Sequence, residues 1–165
     1  MSIRVFVTGG TFDKQYNEID GTLSFSETHV EHVLERGRCR LDVRVEVLMM
    51  MDSLDMEAAD RARIVAACER CAEQQVVITH GTDTMVETAR EIAAAVPGKT
   101  VVLTGAMIPF AFGSSDGLFN LGSALSFVQV LAPGVYVAMN GRWCPWDNVR
   151  KNRELGVFEG VRSPA

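Results

Sequence analysis

The sequence predicts an α/β fold: one single-domain, doubly wound and mostly parallel sheet with helices on both faces, spanning residues 1–165. Short apolar runs rich in β-branched residues recur along the chain. Stretches with apolar residues at helical spacing separate them. Segments rich in glycine and hydroxyl side chains follow three of the runs, at the strand ends where parallel sheets bind ligands.

Ile3 to Thr8 reads as a buried first strand, broken by Gly9 and Gly10. Residues 11–22 are polar and without period, so a loop is expected there. Glu27 to Arg36 carries Val30, Val33 and Leu34 at helical spacing. Leu41 to Met49 reads as the second strand, and Ser53 or Asp55 as the cap of a helix running through Ala72. Gln75 to His80 has the character of a central parallel strand. A helix follows, with Met85, Val86, Ala89, Ile92, Ala93 and Val96 on its apolar face. Thr100 to Gly105 is the next strand. Ser114, Ser115 or Asp116 caps a helix that buries Leu121, Ala124, Leu125 and Val128. Gly134 to Met139 is a further strand, and the tail from Gly141 is expected to be less regular.

Composition narrows the function. A hydrophobic share of 47% with 22% charged residues suits a soluble globular chain with a real core. The net charge of −5 and the scattered basic residues argue against nucleic acid as a partner. No apolar run is long enough to cross a bilayer, and the N-terminus enters a strand with no leader pattern, so a cytoplasmic protein is expected. Cys68 and Cys71 have CxxC spacing inside a helical stretch with no second such pair, which favours buried or half-buried thiols over a metal site. No metal and no cofactor are expected.

Three segments gather chemistry at strand ends: ThrGlyGlyThr at 8–11, HisGlyThrAspThr at 80–84 and GlyAlaMet at 105–107. Glycines let a ligand approach the backbone, and hydroxyls become nucleophiles when a base is near. Singly these motifs are ordinary. A GlyGly pair often only turns the chain, ThrAsp often only caps a helix, and a lone His80 is more often structural than catalytic.

In this order, together with SerSerAspGly…AsnLeu at 114–121, the motifs resemble those of the bacterial-type asparaginases, in their N-terminal catalytic domain. The resemblance covers Ile3 to about Val161, and the family's smaller C-terminal domain has no counterpart in these residues. It implies an amidohydrolase that releases ammonia from L-asparagine through an acyl-enzyme. Thr11 matches the family's first nucleophilic threonine, and Thr82 and Asp83 its second threonine and aspartate. Lys151, in AsnValArgLys, looks like the family's lysine, and Tyr16 like its mobile-loop tyrosine. Gly10, Gly81 and Ala106 fall where backbone faces the substrate, and Asp52 and Ser53 where the substrate is gripped. Family members assemble as homodimers or homotetramers. Trp143, Trp146 and Phe158 suit either an interface or the edge of a core.

The chain departs from the family's pattern at several places. Leu54 stands where a second polar residue grips the α-carboxylate, and Ile108 where the family has arginine. Glu18, on the Tyr16 loop, is the acidic group expected to replace the C-terminal domain's glutamate. Two other readings therefore stand beside asparagine hydrolysis: a different amide, as in glutaminases or amidotransferase subunits, and a silent amino-acid-binding module. A lysine serves as base only if its environment favours the neutral amine, and Asp83 beside it opposes that. The residues alone assign no order to the two threonines.

Overall fold

The computed structural model describes residues 1–162. Its centre is a six-stranded sheet in the order β4-β1-β5-β6-β7-β8. The strands are β1 (Ser2–Gly9), β4 (Asp42–Met51), β5 (Gln75–Thr79), β6 (Thr100–Thr104), β7 (Gly134–Met139) and β8 (Arg142–Pro145). All neighbours pair in parallel except β7 and β8, an antiparallel hairpin turned by Asn140 and Gly141, both at positive φ. The predicted α/β fold is observed.

The connecting helices are α1 (Val30–Arg36), α2 (Ala58–Arg70), α3 (Met85–Ala95) and α4 (Gly117–Val130). Alternation along each strand splits the core in two. Phe6, Val76, Ile78, Val101 and Leu103 face α2 and α3. Val5, Val7, Val77 and Val102 face α1 and α4. The winding follows from this. The links through α2 and α3 move one way across the sheet on one face, and the link through α1 moves the other way on the opposite face, so these three share a hand. The link β6–α4–β7 moves with α3 but lies on the face of α1, so it has the other hand. Crossovers of the minority hand are rare among parallel strands.

The stretch expected to be a loop after Gly10 is ordered. Thr11–Asp13 forms a 3-10 turn, followed by a hairpin of β2 (Gln15–Asn17) and β3 (Thr22–Ser24). Asn17 Oδ1 accepts from Ile19 N–H, Asp20 Oδ1 accepts from Thr22 N–H, and Gly21 closes the turn at φ +74. Three-residue strands are too short to show a period of two, which is why the sequence conceals them. The tail is likewise a hairpin, of β9 (Arg150–Asn152) and β10 (Val157–Glu159). Asn152 Oδ1 accepts from the N–H groups of Glu154 and Leu155, and Gly156 sits at φ +64.

Helix α2 starts later and ends earlier than expected. Glu57 and Asp60 form a capping box at its start, and the chain turns extended at Cys71. Ser53 belongs instead to a short 3-10 turn capped by Asp52, whose side chain accepts from Leu54 N–H. Cys68 is buried and Cys71 half-buried, both as free thiols. Phe158 lies in the core, whereas Trp143 and Trp146 are partly exposed. Among the described residues no helix is long and apolar enough to cross a membrane.

Ile78 is fully buried on the central strand, so Ile78→Ala is expected to cost about 2–5 kcal/mol in urea unfolding. Leu54→Ala, at a position 65% exposed, is expected to stay within about 0.5 kcal/mol of wild type in the same measurement.

Candidate active site

The strand order puts β1 between β4 and β5, so the chain leaves β1 toward one neighbour and β5 away from it. Such a switch point opens a crevice at the carboxyl ends of the strands. Three loops meet there at distances only glycine permits. A Cβ on Gly9 would lie 2.5 Å from Met51 N, one on Gly10 2.4 Å from Gly81 N, and one on Gly81 2.5 Å from Ser53 Oγ. Gly9 and Gly10 also hold φ of +93 and +75. Gly10 N–H donates to Met51 O at 2.9 Å, so it has no hydrogen left for a ligand. The N–H groups of Thr11 and Thr82 make no hydrogen bond among the described residues.

Thr11 begins the 3-10 turn that follows, and it is half-buried. Asp13, two residues on, anchors that turn. Its Oδ1 accepts from Thr28 Oγ1 at 3.0 Å and from His29 N–H at 2.8 Å, at the head of α1. Burial pushes the Asp13 carboxyl up, against the lowering effect of those two donors.

Thr82 and Asp83 follow β5 on a turn leading into α3. Lys151 Nζ donates to Thr82 Oγ1 at 2.8 Å and to Asp83 Oδ1 at 2.9 Å. The side chains of Lys151 and Asp83 are 14% and 26% exposed, so the ion pair is partly withdrawn from water. Lys151 reaches this place because β9 and β10 are pinned to the core by Val149 and Phe158. Arg153, on the turn of that hairpin, donates through Nη1 to the same Asp83 Oδ1 at 2.9 Å.

The third loop carries Asp52 and Ser53. Asp52 pairs with Lys14, and that ammonium holds the Asp52 carboxyl below the usual carboxylate range, with Leu54 N–H and the charge of Lys151 adding to the effect. Ser53 is buried. Its carbonyl accepts from Thr84 Oγ1 at 2.9 Å, while its own hydroxyl is buried without a hydrogen-bond partner. Ala106 is buried just after β6. The next residues, Met107 and Ile108, give their N–H groups to the Asp116 carboxylate.

The structure thus gathers Thr82, Asp83 and Lys151 in one hydrogen-bonded set and sets Gly10, Gly81 and Ser53 against one another. It leaves Tyr16 and Glu18 on the β2–β3 hairpin. Tyr16 is 56% exposed, and Glu18 is exposed at the tip. Neither makes a hydrogen bond or ion pair to the three grouped residues. His80 is structural. Its Nδ1 donates to Gly81 O and its Nε2 pairs with Thr88 Oγ1, each at 2.8 Å, and burial favours the neutral ring.

Sequence reasoning missed Asp13, Lys14 and Arg153. Asp13 and Lys14 directly follow the ThrGlyGlyThr motif, but their partners lie 15 to 38 residues away. The one signal for Arg153 was its place two residues after Lys151, beside an AsnArgGluLeuGly turn.

The chain also resembles known proteins along its length. The family model described as Asparaginase, N-terminal matches residues 2–164. The chain is 29% identical to the L-asparaginase of Thermococcus kodakarensis, over 99% of its own length and 52% of the relative's. It is 37% identical to L-asparaginase 1 of Escherichia coli K12, over 75% of its length and 39% of the relative's. The chain therefore spans about half or less of these relatives. Among solved structures, the thermostable T. kodakarensis enzyme superposes with a TM-score of 0.87, covering 99% of this chain and 52% of that one at 29% identity. A probable cytoplasmic L-asparaginase from Campylobacter jejuni gives 0.85, covering 98% and 53% at 29% identity.

His80 yields a pH test. Burial pushes its imidazole down from 6.5 to about 4. The unfolded chain takes up this proton near pH 6.5 and the folded chain does not, so the stabilisation is complete above pH 6.5 and lost as pH falls toward 4. Wild type is expected to lose about 2 kcal/mol more than His80→Gln between pH 7 and pH 5, measured by urea unfolding at both values.

Proposed function

Because the chain belongs to the asparaginase family, we propose that it hydrolyses L-asparagine to L-aspartate and ammonia by threonine nucleophilic catalysis. The observation that carries this reading is Lys151 Nζ, 2.8 Å from Thr82 Oγ1 and held by Asp83. A hydroxyl with an amine in hydrogen-bonding reach, itself oriented by a third group, has the arrangement of an activated nucleophile.

In this reading the two threonines divide the work. Thr11 attacks the side-chain amide carbon, its proton passes to the departing ammonia, and an aspartyl ester of Thr11 remains. Thr82 and Lys151 then take up a proton from a water, the oxygen of that water attacks the ester carbonyl to give L-aspartate, and the same proton passes back through Thr82 to the departing Thr11 oxygen. The free N–H groups of Thr11 and Thr82 stabilise the oxyanion in both steps. The β2–β3 hairpin closes over the site, bringing Tyr16 to relay the Thr11 proton and Glu18 toward the substrate's ammonium. Ser53, Asp52, Gly10, Gly81 and Ala106 line the substrate's place. Three facts favour this assignment: the Thr11 side chain makes no hydrogen bond among the described residues, Thr82 has its amine, and hairpin and sheet join at the Thr11 turn.

We place this machinery within residues 1–165 as one catalytic domain, in the cytoplasm. The C. jejuni neighbour is a probable cytoplasmic L-asparaginase. We further propose assembly as a homodimer or homotetramer, with the partly exposed Trp143 and Trp146 suited to an interface. A silent amino-acid-binding module has no use for the Lys151–Thr82 bond, which weighs against it.

Purified protein is expected to release ammonia from L-asparagine in preference to L-glutamine. Thr11→Val, Thr82→Val and Lys151→Met are each expected to lower kcat by about a hundredfold or more. Intact-mass spectrometry after mixing with L-asparagine decides the order. The aspartyl adduct should accumulate on Thr82→Val and be absent from Thr11→Val, and the reverse pattern assigns the attack to Thr82.

A further inference from the structure

We propose that Arg153 is a specificity-determining residue that receives the free carboxylate of an α-amino-acid amide substrate, together with the Ser53 hydroxyl; this rests on the amidohydrolase reading above. Lys14 is tied to Asp52, and Lys151 to Asp83 and Thr82. Arg153 gives a single Nη1 hydrogen to Asp83 Oδ1, and its side chain is 65% exposed. A guanidinium has five N–H donors in a fixed fork that matches a carboxylate, so most of its capacity is unspent.

Position supports the same conclusion. Arg153, Asp83, Lys151 and Thr82 form one continuous chain of hydrogen bonds, so the guanidinium lies three bonds from the Thr82 hydroxyl. In asparagine two carbons separate the amide carbon from the carboxylate. The bond to Asp83 directs the guanidinium toward the crevice residues before any ligand arrives. Next to Asp83, Thr84 donates through Oγ1 to the Ser53 carbonyl, and the Ser53 hydroxyl is buried with no partner. A buried hydroxyl without a partner is costly unless a ligand supplies one. Leu54, next to it, has no polar side-chain atom and cannot share the work. A carboxylate between Ser53 and Arg153 satisfies the hydroxyl and the spare guanidinium donors at once.

The test compares two substrates in wild type and Arg153→Met. L-asparagine has the carboxylate; 3-aminopropanamide is asparagine without it. The variant is expected to raise KM for L-asparagine by about ten- to a hundredfold, with a smaller change in kcat, and to leave KM for 3-aminopropanamide as it was. Arg153→Lys is expected to recover part of the loss. If Arg153 only positions Asp83 and Lys151, kcat falls for both substrates alike and the proposal is overturned. An unchanged KM for L-asparagine overturns it equally. Calorimetric titration with L-aspartate separates this inference from the catalytic reading. Should wild type hydrolyse neither amide, weaker L-aspartate binding by Arg153→Met still supports the carboxylate site. Equal binding by the two proteins, or none by either, overturns it.

Discussion

The geometry of the crevice depends on one constraint: three loops approach one another backbone to backbone where no side chain fits. Gly9 lies against Met51, Gly10 against Gly81, and Gly81 against Ser53. With β1 between β4 and β5, the three strands end side by side, and the glycines let the loops beyond them close together. The places of Thr11, Ser53 and Thr82 all follow from this contact. A methyl group at Gly10 would push apart the walls of the crevice, because the Gly81 backbone atoms it would meet cannot rotate away, and one at Gly81 would collide with the Ser53 side chain.

A second layer of organisation is electrostatic. Asp83 Oδ1 accepts from both Lys151 and Arg153, while Asp52 holds Lys14. Each carboxylate in the crevice is therefore matched by cations before a substrate enters. A partly buried charge without such a match is costly, and withdrawal from water strengthens the interactions among those that remain. The hairpin of β9 and β10 brings two of the three cations, Lys151 and Arg153, from the far end of the chain.

Much of this was legible in the residues. The five parallel strands and the helices between them follow from apolar runs and spacing, and the Thr82–Asp83 turn follows from its place after the central strand. What stayed hidden has physical causes. The hairpins at Gln15–Ser24 and Arg150–Glu159 consist of three-residue strands, stabilised by side-chain-to-backbone bonds at Asn17, Asp20 and Asn152 rather than by any apolar period. The cap expected at Ser53 or Asp55 fell instead to Glu57, because the 3-10 turn after β4 uses Asp52, Ser53 and Leu54 first. The placement of α4 on the face of α1 also lies beyond local reading, since handedness rules put it beside α3. Arg153 was passed over because its partner Asp83 is 70 residues away.

The two halves of the crevice differ in how firmly they are held. Thr82 follows a fully paired central strand, between two packed helical layers. Lys151 sits on a two-stranded ribbon outside the main sheet, fastened by Phe158, Val149 and the bonds of Lys151 and Arg153 to the Thr82–Asp83 turn. Proteins open in parts, and a short ribbon with few buried contacts opens at lower free energy than a central strand. The amine can therefore leave its threonine while the sheet stays intact. Warming would silence the molecule before it melts, and a ligand that bridges ribbon and sheet would protect the ribbon's amides from exchange more than those of the core.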